Sequence, residues 1–348
     1  LTPAVLVLGT WLLLFPNLLS AQESAVERGS AAFRCGPLRI LSPDVPGDCS
    51  ELGGDGSFRL SSDDASPAEG KAAGYETKQL VLASLVSLGV VAGGSVSTFL
   101  ETPRQTFHFA AEGFFGRDTY AGGADKASHF VDYAILTKEL ANLYGAMGFS
   151  RRDSVLMGVG VSMATGLMFE IGDGTNVFGF SWQDLTMDAL GAGTAAVISA
   201  LELDDLVGFR HGFLLPPVDH EVCCAVDGKG RDYSNEIYTA DLHIAGLARR
   251  LGLNVGPLRY LLLSLTYGTK GYPNGLPEFR ERQVGVEIGL NCGIILSDLG
   301  VRRDTWWGYS LHVVFDNLRI PFTAVGFRYD LNHRRWIGPD NGNGSATR

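Results

Sequence analysis

The chain has 348 residues, 45% of them hydrophobic, with a formal net charge of -10 and a pI near 5.2, which is enough for about two domains with real cores. An acidic chain without a Lys/Arg block excludes nucleic acid as a partner, because phosphate binding needs a concentrated positive field. Its 45 glycines are well above the usual ~7% and follow no G-X-Y period, so they predict close helix packing and tight turns.

The first stretch, residues 1–21, is apolar from Val5 to Leu8 and from Trp11 to Phe15, and reads as a secretory signal peptide cut near Ala21. The alternative, a membrane anchor, is short of the ~20 residues a span requires and is broken by Pro16. Residues 22–76 are dominated by Ser, Gly, Asp and Pro and predict a disordered linker. Within it, Cys35 and Cys49 are flanked by turn residues and in an exported protein predict a disulfide. Cys223, Cys224 and Cys292 lack metal spacing and read as packing residues.

Residues 77–207 predict a glycine-rich helical bundle. Leu80 to Leu100 carries no charged residue and is long enough to cross hydrocarbon. Small residues spaced by four, at Gly89 and Gly93, at Gly158, Ser162 and Gly166, and at Gly191, Ala195 and Ser199, let helix backbones approach closely. The bundle is read as membrane-associated, with a buried soluble bundle as the alternative.

Three polar clusters interrupt these apolar runs. Asp125 and His129 are four apart and share a helical face, a spacing that suits two metal ligands or a carboxylate orienting an imidazole, with Lys126 between them. Asp125 is equally readable as a plain N-cap. Glu170 and Asp173 close a helix, where the dipole repels negative charge, and so call for a partner: Lys126, His129 or a cation. Ser181 reads as the cap of a further helix that carries Asp184 in its first turn and Asp188 one turn on. Together these acids and one histidine exceed what capping requires.

The stretches Ala124-Asp125-Lys126-Ala127-Ser128-His129-Phe130, Glu170-x-x-Asp173-Gly174 and Gly179-Phe180-Ser181-Trp182-Gln183-Asp184-Leu185 resemble the uncharacterised bacterial family of predicted periplasmic lipoproteins of the YfiM type, which is distantly similar to VanZ-like membrane proteins. The likeness continues through Arg231-Asp232-Tyr233-Ser234 and Tyr267-Gly268-Thr269-Lys270-Gly271 to Arg319-Ile320-Pro321. It implies a bacterial cell-envelope location, in the periplasm or at the outer membrane, and no particular activity. The chain departs from the family pattern in two ways: no lipoprotein cysteine follows the candidate cut, and Asp188 stands where relatives tend to have Asn.

Residues 208–338 predict an antiparallel β-region of five to seven strands, at Glu236–His243, Arg259–Tyr267, Gln283–Leu290, Tyr309–Phe315 and Phe322–Tyr329. Val284, Val286, Ile288 and Leu290 fall on one face and Gly285, Glu287 and Gly289 on the other, which predicts a sheet with one covered face. These strands are too few for a closed outer-membrane barrel, which needs about eight. Residues 339–348 predict a disordered tail. The overall expectation is an α+β chain, a membrane-associated bundle followed by an antiparallel β-region.

No Walker A loop, H-E-x-x-H, G-x-S-x-G or paired CxxC is present. Two functional classes follow. In the first, a non-enzymatic envelope protein locks its helices through buried ion pairs such as Lys126 with Glu170 or Asp173, and its β-region binds membrane lipid or an envelope protein. In the second, Asp125, His129, Glu170 and Asp173, with Asp184, hold a divalent metal that hydrolyses a lipid-linked or other envelope phosphate.

Overall fold

A computed structural model of the chain describes residues 75–214, 233–272 and 277–340. The expected signal peptide, nearly all of the expected linker, the expected Cys35–Cys49 disulfide, Cys223, Cys224 and residues 341–348 lie outside the described residues.

Among the described residues four long helices come first: α1 (Thr77–Leu100), α2 (Ala124–Ala146), α3 (Arg151–Asp173) and α4 (Trp182–Ala200). Side chains start two of them. Ser150 Oγ accepts the Asp153 amide at 3.1 Å at the head of α3, and Ser181 Oγ accepts the Asp184 amide at 3.2 Å at the head of α4. Helix α2 begins differently, out of a left-handed turn in which Gly122 and Gly123 have φ of 63° and 93°, a conformation that glycine adopts without the strain a Cβ would add.

Small residues set the helix separations. A Cβ at Gly191 would lie 2.2 Å from the carbonyl oxygen of Phe130, and one at Gly166 would lie 2.3 Å from Asp188 Oδ2. The expected stripe on α4 therefore does bring backbones together, as does that on α3 at Gly158, where a Cβ would lie 2.8 Å from the Thr137 carbonyl oxygen. On α1 the buried stripe runs instead through Ala83, Val86, Val90 and Gly94, one step off the Gly89/Gly93 pair. Ala83, Val86 and Val90 share a core cluster with Leu136, Leu140 and Tyr144 of α2, and the Tyr144 hydroxyl meets Ser87 Oγ at 2.7 Å.

Seven strands follow: β1 (Val207–Phe213), β2 (Glu236–His243), β3 (Leu261–Lys270), β4 (Glu281–Leu290), β5 (Leu318–Arg319), β6 (Ala324–Asp330) and β7 (Arg335–Asp340). Their order in one sheet is β5-β1-β2-β3-β4-β6-β7. Every pairing is antiparallel except the short parallel one in which His211 faces Leu318 and Gly212 faces Arg319. The chain is thus α+β as expected, with a mixed sheet.

Three shorter helices are set among the strands: α5 (Ile244–Arg250), α6 (Cys292–Asp298) and α7 (Trp306–Asn317). Helix α7 corrects the strand expected at Tyr309–Phe315. Its start is capped by Thr305 Oγ1, which accepts the Gly308 amide at 3.3 Å, and Gly308, His312, Val313 and Asn317 are buried at helical spacing. The β-branched and aromatic content that suggested a strand is outweighed by that cap and that period. The expected tail boundary also shifts, since β7 runs through Asp340.

Helix α2 lies between the two layers. One side meets α3 and α4 across Gly158 and Gly191. The other packs Ala124, Ala127 and Val131 against Tyr233 and Tyr238, with Phe130 edge-on to Phe209 at 5.3 Å between ring centres. On β4 the covered face is that of Glu287 and Gly289, and Val284, Val286, Ile288 and Leu290 are exposed.

Candidate functional site

Five of the residues singled out in the sequence converge between α2 and α4. Lys126, with no exposed surface, places Nζ 2.8 Å from Asp125 Oδ2 and 2.6 Å from Asp184 Oδ1, and also pairs with Glu112 from the segment before α2. One turn along α2, His129 Nδ1 meets Asp188 Oδ1 at 2.7 Å. Its Nε2 then points between Asp125 and Asp184, 3.9 Å from each. A spacing of three on α2, Lys126 to His129, and of four on α4, Asp184 to Asp188, puts the pairs in register on facing sides.

The remaining acids are held by neutral donors. Glu170 Oε2 accepts the Ser181 amide at 2.8 Å, tying the end of α3 to the cap of α4. Asp173 Oδ1 accepts from Asn176 Nδ2 at 2.8 Å. Among the described residues the ion pairs of Lys126 therefore run to Glu112, Asp125 and Asp184, which corrects the expected pairing with Glu170 or Asp173. The physical reason is direction: a side chain in the first turn of α2 faces the first turn of α4, whereas Glu170 turns back toward the loop amides it satisfies. Asp125 is likewise not the N-cap; Gly123 is, and Asp125 sits in the first turn.

Electrostatics follow from three carboxylates around one ammonium. Burial alone would raise Asp125, but Lys126 and His129 outweigh it and hold its carboxyl below the usual range. Burial alone would lower His129, but Asp184, Asp188 and Asp125 outweigh it, so the imidazolium is favoured well above the ordinary value. The three acids likewise raise Lys126 against its burial. Burial and the neighbouring Asp184 push Glu112 up to about 7.

Asp125, His129 and Asp184 offer ligand atoms that lie within 4.8 Å of one another. Asp184 thus stands in the group where Glu170 and Asp173 were expected. The Asp188 contact orients His129 as a carboxylate orients a metal-bound imidazole. Yet the space between Asp125 and Asp184 is bridged by the Lys126 ammonium, which brings the positive charge a cation would supply.

A second polar seam escaped the sequence reading. Asp125, Asp132 and Glu139 recur every seven residues along α2, and each meets the sheet side. Asp125 accepts from the Tyr233 hydroxyl; Asp132 Oδ1 meets His211 Nδ1 at 2.9 Å; Glu139 Oε1 accepts from Asn317 Nδ2 at 2.8 Å. The seven-residue recurrence of acids in an apolar helix was the available signal. Glu112 carried none, because nothing local ties a loop glutamate to Lys126.

Fold and cluster together define a class: an α+β protein with a buried charge cluster at the junction of its helices. Residues 111–200 match the family described as "Predicted periplasmic lipoprotein (DUF2279)". No curated protein and no solved structure matches the chain. The match covers α2, α3, α4 and the approach to them, ending before β1, so neither the continuation of the likeness into the sheet nor the VanZ-like kinship draws support from it. The location is the cell envelope, in keeping with that family's periplasmic description.

Proposed function

We propose that this chain is a non-enzymatic, membrane-seated envelope protein whose buried charge network locks its helices and whose sheet region meets lipid or an envelope partner. The observation that carries the reading is the Lys126 ammonium between Asp125 and Asp184, which supplies positive charge to the cluster from within. A buried charge set of this kind contributes less to net stability than to a single arrangement of helices, and removing one member leaves its partners buried and unpaired. The membrane seat is supported by α1 and α3, both long and apolar enough to cross a bilayer and only partly covered by the protein itself. Leu85, Leu88 and Leu100 on α1 and Leu156 and Leu167 on α3 are exposed.

The competing reading, a metal-dependent hydrolase of an envelope phosphate, draws on the Asp125, His129 and Asp184 donors. Elemental mass spectrometry on detergent-purified protein separates the two, with thermal unfolding of wild type, Lys126→Met and His129→Ala alongside. A structural lock predicts no stoichiometric transition metal, a melting temperature indifferent to chelator, and a loss on the order of 3–5 kcal/mol in Lys126→Met. Near one equivalent of metal that His129→Ala abolishes in a folded protein would sink the lock and direct assays to phosphate esters.

A further inference from the structure

The sheet is inverted relative to a water-soluble one. Along β3, β4 and β6 the alternation is strict: Leu263, Leu265, Val286, Ile288, Val325 and Phe327 share one face by register, and Leu265, Ile288 and Phe327 are 65%, 55% and 59% exposed. The opposite face carries the polar groups and is buried. Glu287, on the same strand as the exposed Ile288, is 3% exposed.

That buried face is an interior made by the sheet itself. Arg319 on β5 forms a bidentate pair with Glu287 on β4, at 2.7 and 2.8 Å, although β1, β2 and β3 lie between them in the sheet. With neighbouring strands ~4.8 Å apart, four steps across a flat sheet separate two strands by about 19 Å, far beyond an arginine's reach. The sheet is therefore strongly curled with the polar face inside. There Arg210 also pairs with Asp241 at 2.6 Å and reaches Ser264 at 3.3 Å.

We propose that the outer apolar face of this curled sheet, across β3, β4 and β6, is a lipid-contacting surface that lies in the hydrocarbon of a bilayer. The proposal rests on the membrane seat already inferred for the helices, and it extends that seat to the sheet. Three observations select lipid. A salt-bridged interior with an apolar exterior alternating residue by residue is what a sheet in hydrocarbon requires. β3 and β4 are ten residues each, the length a tilted strand needs to cross that layer. Finally, apolar exposure is found on both sides of α2, on the sheet and on α1 and α3, which fits a surrounding solvent better than one flat partner.

The test uses the full chain in phosphatidylethanolamine/phosphatidylglycerol vesicles, with the photoreactive residue benzoylphenylalanine replacing Leu265, Ile288 or Phe327 one at a time. The same substitution at Leu88 on α1 reports the helical seat, and at Arg302, in an exposed ion pair with Asp304, reports water. Mass spectrometry after irradiation is expected to find acyl-chain adducts at the three sheet positions in yields comparable to Leu88, and background only at Arg302. Adducts at Leu88 alone would overturn the proposal and leave the helical seat standing. Adducts at none of the four apolar positions would remove both. Protein–protein adducts from the sheet positions, without lipid, would mean that a second copy covers the face, and would also overturn it.

Discussion

Around Lys126 the number of negative neighbours exceeds the number of positive ones, so protonation decides how the cluster is balanced. Glu112 titrates near 7 in the folded chain against its ordinary 4.5. Between those values the folded state holds the extra proton, so this contribution to stability is full below about 4.5 and is lost as pH rises through about 7. His129, raised above 6.5, acts in the same direction at higher pH. Asp125, lowered, acts in the opposite one, its contribution being lost as pH falls below its ordinary 3.8. The stability of detergent-purified protein is therefore expected to fall from about pH 5 to pH 8, by an amount on the order of 1–3 kcal/mol, read as a falling melting temperature, and Glu112→Gln is expected to flatten the lower part of that fall. An unchanged profile in Glu112→Gln would show that the proton is held elsewhere. Of these residues, the sequence displayed Lys126, Asp125, His129, Asp184 and Asp188 as polar interruptions in apolar runs. Glu112 stayed hidden because its role depends on where a loop folds back.

At the scale of helices and strands, distance of approach is the governing quantity. Gly191 and Gly193 lie two apart on α4 but meet different surroundings: a Cβ at Gly191 would strike the Phe130 carbonyl, whereas one at Gly193 has nothing within 4 Å. Gly191→Ala is expected to push α2 from α4 and cost about 1–3 kcal/mol. Gly193→Ala should gain ~0.5–1 kcal/mol from helix propensity alone. Urea or thermal unfolding of the pair checks this, and equal effects would mean that α2 and α4 are not in close contact. Element limits were largely legible: β2 and the outlines of β3, β4 and β6 follow from alternation and turns, and Ser181 announced α4. Helix α7 was not legible, because Tyr309 to Phe315 has strand-like composition and only the Thr305 cap and the buried period of Gly308, His312, Val313 and Asn317 decide for a helix.

For the whole molecule, the curl of the sheet is held by charges that have no water to retreat to. Arg319→Met leaves Glu287 buried without its partner and is expected to cost about 3–5 kcal/mol, while Arg319→Met with Glu287→Met should recover most of that loss. Thermal unfolding of the two single variants and the double makes the measurement. If the double variant is no better than either single one, the pair is not what closes the sheet.

By itself the sequence determined the local matters: helices and most strands from period and caps, close packing from spaced small residues, an envelope location through the resemblance of residues around 124–191, and the identity of the chemically notable side chains. Only the tertiary structure decided which of them meet. His129 and Asp188 are 59 positions apart and Arg319 and Glu287 are 32 apart, and no local pattern encodes such partners. It also decided which face of β4 is inside, because alternation separates Glu287 from Ile288 without saying which one meets solvent. That choice depends on the nature of the solvent, and a buried Arg–Glu pair beneath exposed Leu, Ile and Phe is the arrangement that hydrocarbon, rather than water, favours.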